Sequence, residues 1–129
     1  MDAMIYPSTW SVRAVRWSVS LHAVALAAQL AAMLAFLSGR PEGFFAHSGN
    51  AWIVLTLGAI QLLAVLACNA ARADRFYTAT ALIIVLAEAL EVYLGRSGLR
   101  FAHLTLAMII WAFTLTLLIR TVTAAWAAR

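Results

Sequence analysis

The chain has 129 residues, of which 65% are hydrophobic and 11% are charged, and its formal net charge is +4. Soluble domains are about 25% charged, so this composition excludes a water-soluble fold. All nine basic residues are arginines that stand singly or in pairs, which excludes the clustered basic face of a nucleic-acid-binding protein, and the single cysteine, Cys68, excludes an internal disulfide.

Four apolar runs are each long enough to cross a hydrocarbon core of roughly 30 Å. They lie at about 17–37, 46–70, 77–95 and 101–122. The connections between them are short, which is typical of antiparallel neighbours in a bundle. The sequence therefore predicts an all-α fold, an integral membrane four-helix bundle in up-down-up-down order, with residues 1–129 as a single membrane domain.

The arginines predict the orientation of this bundle. Six of them fall on the side that holds both termini and three on the opposite side: Arg13, Arg16, Arg72, Arg75, Arg120 and Arg129 against Arg40, Arg96 and Arg100. The positive-inside rule then places the N and C termini in the cytoplasm. Arginine without lysine, together with abundant alanine, is typical of a GC-rich bacterial genome, so we expect a multi-pass protein of the bacterial inner (cytoplasmic) membrane.

The N-terminal part of the chain, residues 1–16, carries Trp10 and Arg13, which suit the membrane interface. We expect a short interfacial helix there, leading into the first run. That run contains His22 and Gln29, which are seven residues apart and therefore share one helix face. The ordinary interpretation of His22 is a neutral imidazole hydrogen-bonded to a neighbouring helix.

The second run has a polar stripe at helical spacing. His47, Asn50 and Gln61 share this face with Val54 and Gly58. A stripe that contains two amide side chains is too polar to face lipid, so we expect it to point into the bundle.

The third run contains two carboxyl groups, Glu88 and Glu91. They are three residues apart and share a helix face. A charged side chain at membrane depth costs several kcal/mol, so it usually faces a partner, a cavity or a functional pathway.

The fourth run begins near Phe101 and carries His103 in its first turn. In the predicted topology, His103 and His47 both lie at the outer end of the bundle at similar depth. Glu91 rises on the third run to within about one helical turn of that depth.

A first interpretation of these two histidines is haem ligation. A b-type haem takes two neutral imidazoles on opposite sides of its ring. Gly58 or Ala107 could leave space for the macrocycle, and Arg100 or Arg40 could pair with its propionates.

Three other interpretations stay open. His47, Glu91 and His103 could bind Zn, Fe, Mn or Cu as a metal site. Glu88 and Glu91 could carry protons or cations across the membrane. The polar groups could also do no more than hydrogen-bond one another and fix the packing of the bundle. The chain shows no catalytic motif, which favours a non-enzymatic role.

Two short stretches resemble a known family. Phe45-Ala46-His47-Ser48-Gly49-Asn50-Ala51-Trp52 and Arg100-Phe101-Ala102-His103-Leu104-Thr105-Leu106-Ala107 place a histidine at the start of the second and fourth runs. This arrangement is similar to one four-helix half of haem A synthase, and to small bacterial four-helix membrane proteins of the same layout.

In haem A synthase, each half uses such a histidine pair for a haem site, so the resemblance implies haem binding at His47 and His103. The chain departs from the family pattern at Ser48, where a basic residue is usual, and at Phe44, where a glutamate is usual. It also supplies only one half, so haem A synthesis itself is not expected.

The leading hypothesis is a small membrane protein that binds haem b through His47 and His103 for electron transfer, as a homodimer or as a subunit of a larger membrane complex. The alternative is a non-enzymatic subunit or small proton or cation transporter that uses Glu88 and Glu91.

Overall fold

The computed structural model describes residues 9–68, 71 and 74–123, and these residues form four long helices. The helices are α1 (Thr9–Leu37), α2 (Glu42–Ala67), α3 (Arg75–Arg96) and α4 (Arg100–Thr123). Each is long and apolar enough to cross a membrane. The prediction of an all-α protein with four helices able to span a membrane is confirmed for this part of the chain.

The first helix is longer than the predicted first span. It runs without a break from Thr9 through the segment in which a separate interfacial helix was expected. The physical reason is that 9–37 contains no glycine or proline, so nothing ends the helix before the membrane span begins. Residues 1–8 and 124–129, the last two residues of the predicted second span and Arg72 lie outside the described residues.

Glycine and proline set the turn between α1 and α2. Gly39 has a φ of +86°, a conformation that suits a residue without a side chain, and the Arg40 N–H donates to the Ala35 carbonyl at 3.1 Å. Pro41 then stands just before the first residue of α2, where its fixed φ of −62° suits a helix start.

The ends of α3 are also set by local chemistry. The carboxylate of Asp74 accepts a hydrogen bond from the Phe76 N–H at 2.9 Å and caps the start of the helix. At the other end, Ser97 follows the helix and Gly98 has a φ of +72°, so the chain turns directly into α4.

The helices pack as a ring in which α1 and α3 each contact both α2 and α4. The closest approach is between α1 and α2. A Cβ added at Gly43 would come within 2.9 Å of the Phe36 Cα, so only glycine allows this contact. Helices α1 and α3 face each other across the ring, and so do α2 and α4.

The interior has an apolar part and a polar part. The largest buried hydrophobic cluster, called here the apolar core, contains Val12, Val15, Val19, Val65, Cys68, Ala71, Tyr77, Ala81, Ile84 and Leu117. Large hydrophobic side chains such as Leu63, Leu86 and Met108 cover the outside of the bundle. This is the surface expected of helices that contact lipid on their outer faces.

Candidate functional site

Three buried polar side chains meet inside the bundle, one from each of the first three helices. His22 Nε2 lies 2.5 Å from Glu88 Oε1, and His22 Nδ1 lies 3.0 Å from Gln61 Oε1. His22 and Gln61 have no exposed surface, and Glu88 is 3% exposed. We call these residues the central triad. The His22–Glu88 contact joins two helices that face each other across the ring.

The absence of a side chain at Gly58 makes room for the Glu88 carboxyl group. A Cβ at this position would collide with the Glu88 carboxylate, while the equivalent addition at Gly49 on the same helix would meet nothing within 4 Å. Gly58 or Ala107 was expected to leave space for a haem macrocycle. In this structure the Glu88 side chain fills the space beside Gly58.

A second polar group, the end cluster, is formed by Gln29, His47, Asn50, Glu91 and His103. Its first half joins α1 to α2. The His47 Nδ1–H donates to the Gln29 backbone carbonyl at 3.2 Å. Asn50 Nδ2 donates both to the Ala25 carbonyl at 2.9 Å and to Gln29 Oε1 at 2.8 Å. The Gln29 amide N–H in turn reaches His47 Nε2 over a long 3.4 Å.

The second half of the end cluster joins α3 to α4. The His103 Nδ1–H donates to Glu91, at 3.0 Å from the carboxylate Oε1 and 3.2 Å from the backbone carbonyl. The His103 and Glu91 side chains are 16% and 15% exposed, so this pair is only partly buried. Gly95, one turn after Glu91, lets the His103 ring approach α3, since a Cβ there would lie 3.1 Å from His103 Cε1.

The two histidines of the end cluster face each other across the ring. The ring centroids of His47 and His103 are 6.0 Å apart, and the ring planes are close to perpendicular, at 83°. In each case, Nδ1 is held by the helix that precedes the histidine in the chain: α1 holds His47, and α3 holds His103. A neutral imidazole that donates from Nδ1 keeps a lone pair on Nε2, which is the atom that can act as a ligand.

The other predicted site residues are placed as follows. Arg100 and Arg40 are exposed, and Ala107 is half-buried. Glu91 approaches His103 but has no contact with His47 within hydrogen-bond distance among the described contacts. No group of three histidine, cysteine, aspartate or glutamate side chains in the described part of the chain is arranged to hold a metal ion. The residues predicted as a metal site are thus neighbours without the geometry of a three-ligand centre.

The role of His22 was the main feature that sequence reasoning missed. A hydrogen bond from His22 to a neighbouring helix was expected, and the structure contains one, to Gln61. The shorter contact of His22 is with Glu88, on the facing helix. The sequence did contain a signal for this contact, because His22 lies within one apolar run and Glu88 within another, and each needs a polar partner inside the membrane. The sequence does not reveal which of three histidines takes that acid.

Comparison of the chain with models of known protein families, with curated protein sequences and with solved structures found no match.

Proposed function

We propose that this chain is a membrane protein that binds haem b between His47 and His103 and uses it for electron transfer. The observation that carries the proposal is the matched pair of imidazoles. They stand on facing helices, and Nδ1 of each donates to a backbone carbonyl of a neighbouring helix, so Nε2 is the ring atom that would bind iron.

The hydrogen bonds at Nδ1 are those expected of metal-ligating histidines. Such histidines almost always donate the other ring N–H to a carboxylate or backbone carbonyl, which fixes the tautomer and the ring orientation. His47 donates to the Gln29 carbonyl, and His103 donates to both the carboxylate and the backbone carbonyl of Glu91. Glu91 thus acts in this proposal as a positioning residue rather than as a ligand.

The two imidazoles are also close enough to hold one haem together. Their ring centroids are 6.0 Å apart and their planes lie at 83°, so the rings would have to move apart and turn to take a haem between them.

Haem would supply one-electron redox chemistry at this position, with its potential set by the ligands and their surroundings. The chain's own contribution is to hold the two imidazoles and to limit access of water. The Gln29 amide, which now reaches His47 Nε2, would have to move aside. Arg100 is one turn before His103 on α4 and is exposed, so it is suitably placed to pair with a propionate.

The proposal includes the orientation of the bundle. Helices α1 and α2 are antiparallel, since Gln29 near the end of α1 contacts His47 near the start of α2, whereas the earlier His22 contacts the later Gln61. This supports an up-down-up-down order. Together with the arginine distribution, it supports a bundle with both termini in the cytoplasm of a bacterium and the end cluster near the outer face of the inner membrane.

The experiment is an absorption spectrum of the detergent-purified protein, oxidised and then reduced with dithionite, after expression with ample haem. We expect a sharp Soret band that shifts on reduction, with a split visible region, as for a six-coordinate haem. His47→Ala and His103→Ala should each lose this spectrum, and added imidazole should restore part of it. Glu88→Gln, which leaves both ligands in place, should largely keep it.

A featureless spectrum from folded protein that was expressed with haem would refute haem binding. A wild-type spectrum from both histidine variants would refute His47 and His103 as the ligands. Circular dichroism and gel filtration of each variant show whether a lost spectrum reflects lost ligation or lost folding.

A further inference from the structure

A groove lies between α1 and α4 at the end of the bundle opposite to the end cluster. It has a volume of about 520 Å³. Its lining consists of two arginines, an indole, a hydroxyl group and one aliphatic side chain: Arg13, Arg16, Trp17, Ser20 and Val122. Ligand sites in proteins have volumes of about 300–1,000 Å³, so the groove is large enough for a small polar group.

Helix geometry brings these side chains together. Arg13, Arg16, Trp17 and Ser20 follow one another at helical spacing, so they form one face of α1. Val122 stands opposite them, in the last turn of α4. Among the described residues, α1 and α4 make the least extensive contact of the four neighbouring helix pairs, which leaves room for the groove between them.

The groove is positively charged. Arg13 and Arg16 are both exposed, and no carboxylate of the described residues lines the groove with them. A guanidinium group presents a planar fork of N–H donors that matches the oxygens of a phosphate group. The half-buried Ser20 adds a hydroxyl group that can donate a further hydrogen bond. The charges and donors therefore favour a phosphate group as the occupant.

The depth of the groove is that of lipid headgroups. Trp17 stands at the start of the first apolar run, and its side chain is 67% exposed. Tryptophan rings of membrane proteins collect at the boundary between headgroups and hydrocarbon. The two arginines lie just before this ring in the chain, on the headgroup side of the boundary.

Towards the middle of the bundle, both walls of the groove continue as apolar surface. Val24 follows Ser20 after one turn of α1 and is 66% exposed. On α4, Ile119 and Leu115 share the face of Val122 and are also exposed. An acyl chain can lie along this apolar seam while its headgroup occupies the groove.

We propose that the groove between α1 and α4 binds an anionic phospholipid, whose phosphate group pairs with Arg13 and Arg16 and whose acyl chain follows the apolar seam. Basic pockets between transmembrane helices are suited to anionic headgroups. The site is separate from the central triad and the end cluster. Lipid binding there does not depend on haem.

Native mass spectrometry of the detergent-purified protein, titrated with phosphatidylglycerol or with phosphatidylcholine, tests the site. We expect a single phosphatidylglycerol molecule to bind at concentrations at which phosphatidylcholine does not. An arginine near a membrane surface strengthens binding to anionic lipid about fivefold, so Arg13→Gln should weaken binding about fivefold. Arg40→Gln removes the same charge at the opposite end of the bundle and should leave the affinity unchanged. Circular dichroism shows that each variant is folded.

Val122→Phe tests the groove separately from the charge, because it fills one wall while both arginines remain. We expect weaker binding of phosphatidylglycerol to this variant. Wild-type affinity in Val122→Phe would show that surface charge alone attracts the lipid, and would overturn the proposal. Equal affinities for the two lipids, or equal affinities in Arg13→Gln and Arg40→Gln, would overturn it as well.

Competition distinguishes a lipid from a free anion. Inorganic phosphate should displace no more lipid than sodium chloride of the same ionic strength does, because phosphate lacks the acyl chain that lies along the seam. Displacement well beyond that level would show that the groove binds free phosphate, and would contradict a lipid site. These measurements use protein without haem, so a failure of haem binding does not decide them.

Discussion

The contact between Gly58 and Glu88 makes the stability of the bundle sensitive to a single methyl group. At Gly58, the Cβ of an alanine would occupy the place of the Glu88 carboxylate, which is itself held against His22. Overpacking of an interior costs about 1–3 kcal/mol. Removal of one partner from a buried ion pair costs about 3–5 kcal/mol. Alanine at position 58 displaces the Glu88 carboxyl group without removing it, so only part of this cost applies.

Gly49→Ala is the matched control, because it lies on the same helix and its Cβ would meet nothing within 4 Å. Alanine is the better helix former by about 1 kcal/mol, so this variant should be neutral or slightly stabilised. The same gain offsets part of the cost at Gly58. We expect Gly58→Ala to lower the free energy of unfolding by about 2–4 kcal/mol relative to Gly49→Ala.

The assay is reversible unfolding in mixed micelles, with sodium dodecyl sulfate as the denaturant and helical circular dichroism as the signal. A difference of 1.4 kcal/mol changes the equilibrium constant tenfold, so the expected effect is well resolved. Equal stabilities for Gly58→Ala and Gly49→Ala would refute the close contact between Glu88 and α2.

Three further predictions concern other parts of the bundle. Asn50→Ala should lower the free energy of unfolding by about 1–2 kcal/mol in the same assay, since it removes the hydrogen bond to Gln29 and one to the α1 backbone; an unchanged midpoint would contradict this. Arg120→Ala removes a cation–π contact, in which the guanidinium lies 4.0 Å from the Phe76 ring centroid. It should cost only about 0.5–1 kcal/mol, and a loss of several kcal/mol would show that the contact has been misjudged. Cys68 is fully buried, so maleimide should label it only in denatured protein, and rapid labelling of native protein would show that the apolar core opens readily.

The sequence predicted the helices well because membrane spans have a strong local signal. Twenty or so apolar residues are needed to cross the bilayer, and each of the four helices contains such a run. The inward stripe of α2 was equally predictable, since Val54, Gly58 and Gln61 recur at helical spacing and all three are buried.

The pairing of polar groups across the bundle could not be read from the sequence. Glu88 and Glu91 share a face, yet the first contacts His22 and the second contacts His103. Which acid meets which base depends on the relative shift of α1 and α4 along the bundle axis and on the space at Gly58. Helix periodicity determines the face on which a residue lies, but it carries no information about that shift.

The contact between His22 and Glu88 also has a consequence for how the protein enters the membrane. Helix α3 is the least apolar of the four helices and carries Glu88 and Glu91. Membrane insertion disfavours acidic residues near a helix centre. Because α1 and α2 precede α3 in the chain, His22 and Gln61 are synthesised before Glu88. We therefore expect the contact with His22 to lower the cost of inserting α3 once the first two helices are in the membrane.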